Sequence, residues 1–360
     1  MIRFEPRQNV SPVLKIAAPV AAGIAALALA AIPLAFAGAP LATAYGLMVD
    51  GAFGSLFAFS ETLTRTTPLI LTGLAAAVAF RARLWNIGGE GQLYAGALAA
   101  VAVGSGAIVL PAVVMIPLVL LAGALAGALL MLGPALLKLR FGADEVVTTL
   151  LLNFVMLLFV QMMLEGPLQD PMSLGWPQSA PIIDQAVLPP LIGRMRLHSG
   201  LLIGLLAAIA VSIMMRRTVW GAEIRAVGEN APAARYAGIP VTATMIRVAL
   251  ISGGLAGLAG VGEVAGLKGY LTSDLSPGFG YAGIVVAMLA GLSPLGVVAA
   301  ALFIAAVFVG ADSMSRGLGV SSYLADLVVA LSLLCVLIGG FITRFRIRLA
   351  GRAATTAARP

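Results

Sequence analysis

Residues 91–137 contain no charged side chain, and the stretch is roughly twice the about 20 apolar residues that one helix needs to cross a bilayer. Such a run must fold back on itself as two membrane helices, and the cluster of Gly, Ser and Pro at 104–111 marks the turn. Residues 275–311 form a second charge-free run of double length, with its turn at Leu292-Ser293-Pro294. Single spans follow at 16–37, 146–164 and 197–215, and 66–80, 248–261 and 327–343 complete a set of about ten. The chain is 61% hydrophobic and 10% charged, against roughly a quarter charged in a soluble domain. It reads as one polytopic membrane domain over 1–360. The runs are continuous and rich in Leu and Ala, where a transmembrane barrel would alternate every second residue, so the fold class is all α. The first run exceeds the 7–15 residues of a signal-peptide core and is expected to stay as a retained span.

The formal net charge of +7 is spread over span ends and not over one soluble face, which argues against nucleic acid as the partner. Arg3, Arg7 and Lys15 precede the first span, Arg81 and Arg83 follow the second, and Lys138 and Arg140 follow the fourth. Arg216, Arg217, Arg225, Arg235 and Arg247 follow the sixth, and Arg344, Arg346, Arg348, Arg352 and Arg359 close the chain. With an even number of spans, the positive-inside rule puts a 1–15 N-terminus, a 216–242 loop and a 344–360 tail in the cytoplasm, with Arg194 and Arg196 dissenting. Cys335 is a lone cysteine inside an apolar span, so no disulfide framework is available. The polar segment 165–198, with its prolines and Trp176, is expected as an ordered external loop, either a docking face for an external protein or a connector lying at the interface.

Catalytic chemistry has little to work with. His198 and Cys335 lie far apart and match no metal-ligand spacing, and no glycine-rich loop ending in Gly-Lys-Ser/Thr is present to cradle a nucleotide. The chain is expected to be no enzyme and to carry no cofactor or metal. Any ATP would be bound by another subunit.

Three sets of polar residues remain. The first is the segment 84–92, LWNIGGEGQ, where Gly88, Gly89 and Gly91 break a helix beside Asn86, Glu90 and Gln92. It reads either as a cavity lining or as a cytoplasmic turn. Tyr94-Ala95-Gly96 follows this break, and Tyr281-Ala282-Gly283 follows a similar break at 276–280. Chance would produce such a triplet in so Gly- and Ala-rich a chain; an inverted repeat, with broken helices facing each other at the midplane, would also produce it. The second set, Glu263, Lys268 and Asp274 with Asp312, Arg316 and Asp326, serves either as an ion relay or as interfacial charge. The third is the island 221–240, GAEIRAVGENAPAARYAGIP, which reads as a short charged helix ended by Gly238 and Pro240, either a coupling element for a soluble partner or an ordinary loop.

From about Thr62 to Thr343 the chain resembles the permease subunits of ATP-binding-cassette importers for ribose-type sugars, branched-chain amino acids and nucleosides. The resemblance rests on Arg225, Ala226, Gly228, Asn230, Ala233, Ala234, Gly238 and Ile239, which match the family's cytoplasmic helix. It implies that Glu223, Arg225, Gly228, Glu229, Asn230, Ala233, Ala234, Arg235 and Gly238 couple the chain to a cytoplasmic ATPase. Asn86, Ile87, Gly88, Glu90, Gly91 and Gln92 resemble the nucleoside-type branch, with Trp85 where Phe is common. That branch implies an external substrate-binding lipoprotein, a second related permease forming a heterodimer, a location in the bacterial plasma (inner) membrane, and the inverted-repeat, roughly ten-helix fold. A path for a neutral nucleoside needs stacking surfaces and a few amide or hydroxyl contacts, and Asn86, Glu90, Gln92, Tyr94, Asn153, Phe279 and Tyr281 are the candidate lining. A simple sugar such as ribose, an ion-coupled secondary transporter relaying through Glu90, Glu263 or Asp312, and a membrane-embedded enzyme are the alternatives.

Overall fold

The computed structural model of the chain describes residues 2–6, 12–193 and 195–349. The span-end residues Arg7, Arg194, Arg352 and Arg359 lie outside them. The chain divides into two compact units, one of residues 1–44 with 315–360 and one of residues 45–314.

In the first unit α1 (Pro12–Phe36) packs against α13 (Ser322–Arg344). The flanking segments β1 (Ile2–Pro6) and β2 (Phe345–Leu349) pair antiparallel, with Ile2 opposite Leu349 and Pro6 opposite Phe345. Among the described residues these are the named strands, and the regular elements are otherwise helices. Cys335 is buried within α13.

The second unit runs through α2 (Leu41–Phe53), α3 (Leu56–Arg81), α4 (Gly89–Gly104), α5 (Ala112–Phe141), α6 (Glu145–Leu164), α7 (Gly200–Arg217), α8 (Val219–Glu229), α9 (Ala231–Tyr236), α10 (Val241–Val261), α11 (Phe279–Leu289) and most of α12 (Pro294–Leu318). Seven described helices, counting α13, are long and apolar enough to cross a membrane, and shorter apolar helices accompany them. α3 and α10 form the centre of the unit: 89% of the α3 window and 78% of the α10 window are buried, against 22% for α6. The rim helices α5, α6 and α7 turn most of their Leu, Val and Phe outward, as lipid-facing helices do.

Glycines set how close the central helices come. A Cβ on Gly257 of α10 would lie 2.2 Å from the Gly123 carbonyl oxygen of α5, and one on Gly127 would lie 2.3 Å from that of Gly253. Gly123-x-x-x-Gly127 and Gly253-x-x-x-Gly257 therefore cross backbone to backbone, the small-residue packing that replaces the hydrophobic effect inside lipid. Polar side chains in α3 are satisfied within the helix: Thr64, Thr66 and Thr72 donate to the carbonyls of Ser60, Thr62 and Pro68 at 2.8, 2.7 and 2.9 Å.

The turns at 105–111 and 292–293 stand where the sequence puts them. Four features differ from the expectation. α2 lies in a segment the hydropathy reading passes over, because it is short and Asp50 interrupts the run. α3 begins at Leu56 and not near residue 66, since Glu61 and Arg65 sit within it and are paired. α4 and α11 have 16 and 11 residues, so at about 1.5 Å per residue neither crosses the hydrocarbon core alone. The seventh span continues through a π-helical stretch, Gly262–Lys268, before Gly269 ends it at φ 79°.

The described residues of the 165–198 segment, 165–193 and 195–198, are tied to the bundle by backbone hydrogen bonds. The segment lies across one end of the helices, with Ser179, Ile182 and Leu188 amides donating to the carbonyls of Leu271, Gly269 and Ala265 at 2.8–2.9 Å.

Candidate functional site

The two short helices start at one place. The chain leaves α3 at Arg81, passes the Leu84–Gly88 segment and opens α4 at Gly89; after the π stretch it returns through residues 269–278 and opens α11 at Phe279. A Cβ on Gly280 would stand 2.1 Å from the Glu90 amide nitrogen, so the first turns of α4 and α11 meet backbone to backbone. α4 then runs toward the long loop, where the Ile183 amide reaches the Gly104 carbonyl, and α11 runs toward the opposite face, where Arg81 donates to the Leu292 carbonyl at 3.1 Å. The order long, short, long, long recurs in α3–α6 and α10–α13. Opposed short helices meeting at their N-termini are the arrangement an inverted repeat produces at its breaks.

Two positive helix ends facing each other need an anion or a set of acceptors. Glu90, in the first turn of α4, supplies it: its Oε2 accepts from the Gly280 amide of α11 at 2.7 Å. Tyr94 ties the two breaks a turn further on, donating to the Ser273 carbonyl at 2.8 Å and accepting from the Ser276 amide at 3.2 Å.

The remaining polar side chains fix the segment before α4. Asn86 and Gln92 pair amide to amide at 2.8 and 2.9 Å, and Asn86 also donates to Ser252, which passes the bond to the Ala75 carbonyl of α3 at 2.8 Å. Asn153 of α6 accepts from the Gly91 amide at 2.8 Å, donates to the Ile87 carbonyl at 2.9 Å and touches the Tyr281 hydroxyl at 3.2 Å. Thr149 and Glu145, one and two turns back on α6, accept from the Ile87 and Trp85 amides. Asn86, Glu90, Gln92, Tyr94, Asn153 and Phe279 are all buried, and Tyr281 alone of the seven candidates reaches the surface, 37% exposed. The structure brings the seven together in one layer; their hydrogen-bonding groups are largely spent on each other and on backbone.

The island splits in two. Thr218 caps α8 by accepting from the Gly221 amide, and Asn230 ends α8 and caps α9, accepting from the Ala233 amide at 3.1 Å. Gly238, at φ 81°, ends the segment after α9 as the sequence anticipates. The first half is anchored. Ile224, Val227 and Gly228 are buried, and a Cβ on Gly228 would stand 2.0 Å from the Arg81 carbonyl oxygen of α3. Glu223 pairs with Arg247 of α10 at 2.9 Å, Arg247 stacks over Trp220 at 5.2 Å, and Arg225 donates to the Met215 carbonyl at the end of α7. The second half is bare. Glu229, Asn230, Ala233, Arg235 and Gly238 are exposed, Ala234 alone turns inward, and Tyr236 is 96% exposed. Beside it an open hollow of about 460 Å³ is lined by Arg235, Ile239, Pro240, Val241, Thr242, Ala243 and Ile246. Sequence reasoning passed over Tyr236, although a lone aromatic among alanines in a charged island was legible as an anchor.

Residues 58–337 match the family described as branched-chain amino acid transport system / permease component. The glucose ABC transporter permease protein of Haloferax volcanii is 36% identical over 97% of this chain and 94% of its own length. The guanosine ABC transporter permease protein of Bacillus subtilis is 37% identical over 88% of this chain and 92% of its own, and a nucleoside ABC transporter permease protein of Lactococcus lactis is 35% identical over 74% and 75%. No solved structure matches. These relatives are transport components and not enzymes, and they set aside the ion-coupled secondary transporter and the membrane-embedded enzyme. With a family match over 58–337 and relatives of 35–37% identity, this chain belongs to the branched-chain amino acid transport system / permease component family.

Proposed function

We propose that the chain forms the translocation path for nucleosides in an ABC importer driven by a separate ATPase subunit. The observation that carries the reading is similarity to permeases named for guanosine and nucleosides, at 37% identity over 88% of this chain and 35% over 74%. The segment Asn86-Ile87-Gly88 with Glu90-Gly91-Gln92 supports it, because here it forms a complete hydrogen-bonded unit that a partial match would break. A simple sugar is the second reading, since a permease named for glucose is as similar over nearly the whole chain.

The exposed half of the island, from Glu229 through Gly238, is the docking element for the ATPase, with Tyr236 and Arg235 beside the hollow as its anchor. Arg225, Glu223 and Gly228 transmit the push, through α7, α10 and α3, to the junction of α4 and α11. ATP stays on the partner subunit, a second related permease completes the path, and an external lipoprotein delivers the solute to the face covered by residues 165–198. The island and both termini face the cytoplasm of a bacterial plasma membrane.

Uptake of labelled guanosine, ribose and glucose into proteoliposomes holding the complex purified through this chain tests the reading, with ATP on the island side and receptor on the other. ATP-dependent guanosine uptake is expected. Glucose or ribose uptake alone would keep the importer and overturn the nucleoside assignment.

A further inference from the structure

The polar layer around Glu90 is closed, yet a second group of charges lies inside the same unit and is open. Arg65 sits in the third turn of α3 and pairs with Asp312 of α12 at 2.5 Å, and about 30% of each side chain remains accessible. Glu61 lies one turn before Arg65 on the same face of α3. Its Oε2 is 3.6 Å from Arg196 and its Oε1 is buried without a hydrogen-bond partner. Glu263 enters from the π-helical stretch, 3% exposed; Arg65 and Lys268 are its charged neighbours, and no hydrogen bond reaches its carboxylate among the described residues.

Ionisable groups inside a membrane span are costly, and when they are kept they line a path or pair with one another. Here they do both incompletely. Glu61, Asp312 and Glu263 face Arg65, Arg196 and Lys268; Lys268 also pairs with Asp274 at 3.6 Å, but the Asp274 side chain is 85% exposed and stands in water outside the group, so the charges within the bundle balance three against three. A neutral group does not draw in a free cation or anion. What it has in surplus is hydrogen bonding: one Glu61 oxygen, the Glu263 carboxylate, and guanidinium donors of Arg65 beyond the one bound by Asp312. Hydroxyls arranged side by side on a sugar ring, each a donor and an acceptor, consume such a mixed set without bringing charge. The group also lies toward the end of the bundle away from the island, where α3 begins, α12 ends and Arg196 and Lys268 stand in or beside the outer loops.

We propose that Glu61, Arg65, Glu263 and Asp312 form a binding site for the vicinal hydroxyls of a neutral sugar ring on the translocation path. The proposal rests on the importer reading and does not depend on which solute is carried, since a nucleoside and a free sugar share this chemistry.

The test uses the assembled complex in proteoliposomes, with Cys335 replaced by Ala and Asp312 by Cys. A membrane-impermeant thiosulfonate is added on the 165–198 side, with and without saturating guanosine, ribose or glucose. Labelling at position 312, slowed severalfold by at least one of the three and not by adenine or sodium, is the expected result. Protection by ribose or glucose but not by guanosine would sink the nucleoside reading and leave this site standing. No labelling, labelling indifferent to all three, or protection by sodium alone would overturn the site. Because the cysteine variant can fail to assemble, Asp312→Asn and Arg65→Gln are measured in parallel for transport KM. Loss of one charge-assisted bond to the solute raises KM roughly tenfold, and an unchanged KM in both variants counts against the site.

Discussion

The junction of α4 and α11 and the α8–α9 island both carry Asn, Glu and small residues at helix breaks, and they use them in opposite ways. At the junction Asn86, Gln92, Asn153 and Glu90 are buried and bonded to one another or to backbone. In the second half of the island Glu229, Asn230 and Arg235 are exposed, and only the Asn230 cap is spent locally. A polar group whose hydrogen bonds are already consumed holds structure, whereas one left to water is free to meet a partner. The same residue type therefore predicts a stability defect in one region and an assembly defect in the other.

The largest effect is expected where the junction is tightest. Gly280→Ala places a methyl 2.1 Å from the Glu90 amide nitrogen, and neither backbone can retreat because Tyr94, Asn153 and Glu90 hold both first turns. Overpacking against backbone that cannot move costs about 1–3 kcal/mol, and this contact lies at the upper end of that range. The variant should be recovered poorly from membranes and melt well below the parent in detergent, by tryptophan fluorescence or size-exclusion after heating. A methyl accommodated without loss of melting temperature would mean the two helix ends are not in register.

Next comes a matched pair. Asn86→Ala strips the Gln92 amide and Ser252 of a buried partner, worth about 1–3 kcal/mol of stability. Tyr236→Ala removes a side chain that touches little of its own chain and should leave the melting temperature unchanged. An anchor in the centre of an interface contributes about 2 kcal/mol, roughly thirtyfold in affinity, so Tyr236→Ala should weaken capture of the ATPase subunit by about that factor. Reversal of the two outcomes, with Asn86→Ala well folded and Tyr236→Ala unstable, would break the rule drawn from the two regions.

Much of the frame was legible because charge-free runs measure bilayer thickness directly: the folds at 105–111 and 292–293 and the breaks before Tyr94 and Tyr281 stand as read. What was hidden was hidden by pairing. Glu61 and Arg65 lower the local hydropathy of α3 and so concealed its first turns, although Arg196 and Asp312 neutralise them in space. A contact of that separation leaves no trace in one sequence. The Gly123/Gly127 and Gly253/Gly257 crossing was written in the chain, as small residues four apart in apolar helices, and went unread. At the island, composition marked the element, but Arg225 and Arg235 look alike in sequence. Only the Met215 carbonyl under Arg225 and the solvent around Arg235 separate the anchored half from the bare one.

His198 fits neither region, and it sharpens the comparison at its smallest scale. It lies just before α7, 1% exposed, against Gly200 and Gly266, with its Nδ1 accepting from the Gly200 amide at 3.2 Å and its Nε2 buried without a partner. It is thus buried like the junction residues yet has unspent capacity like those of the island. Burial without a partner disfavours the charged ring and lowers its pKa from the usual 6.5 to about 4. The unfolded chain then binds the proton more readily than the folded one between those values, so stability is complete above the unfolded pKa and falls as pH drops toward 4. The loss from pH 7 to pH 6 is about 0.7 kcal/mol, growing to about 2 kcal/mol by pH 5. His198→Gln, which keeps a polar side chain but cannot titrate, should flatten the fall in melting temperature between pH 7 and pH 5 while barely changing it at pH 7. An undiminished slope in that variant would show that His198 finds a partner for its second nitrogen, and that the loop side of the bundle is as fully bonded as the junction beneath it.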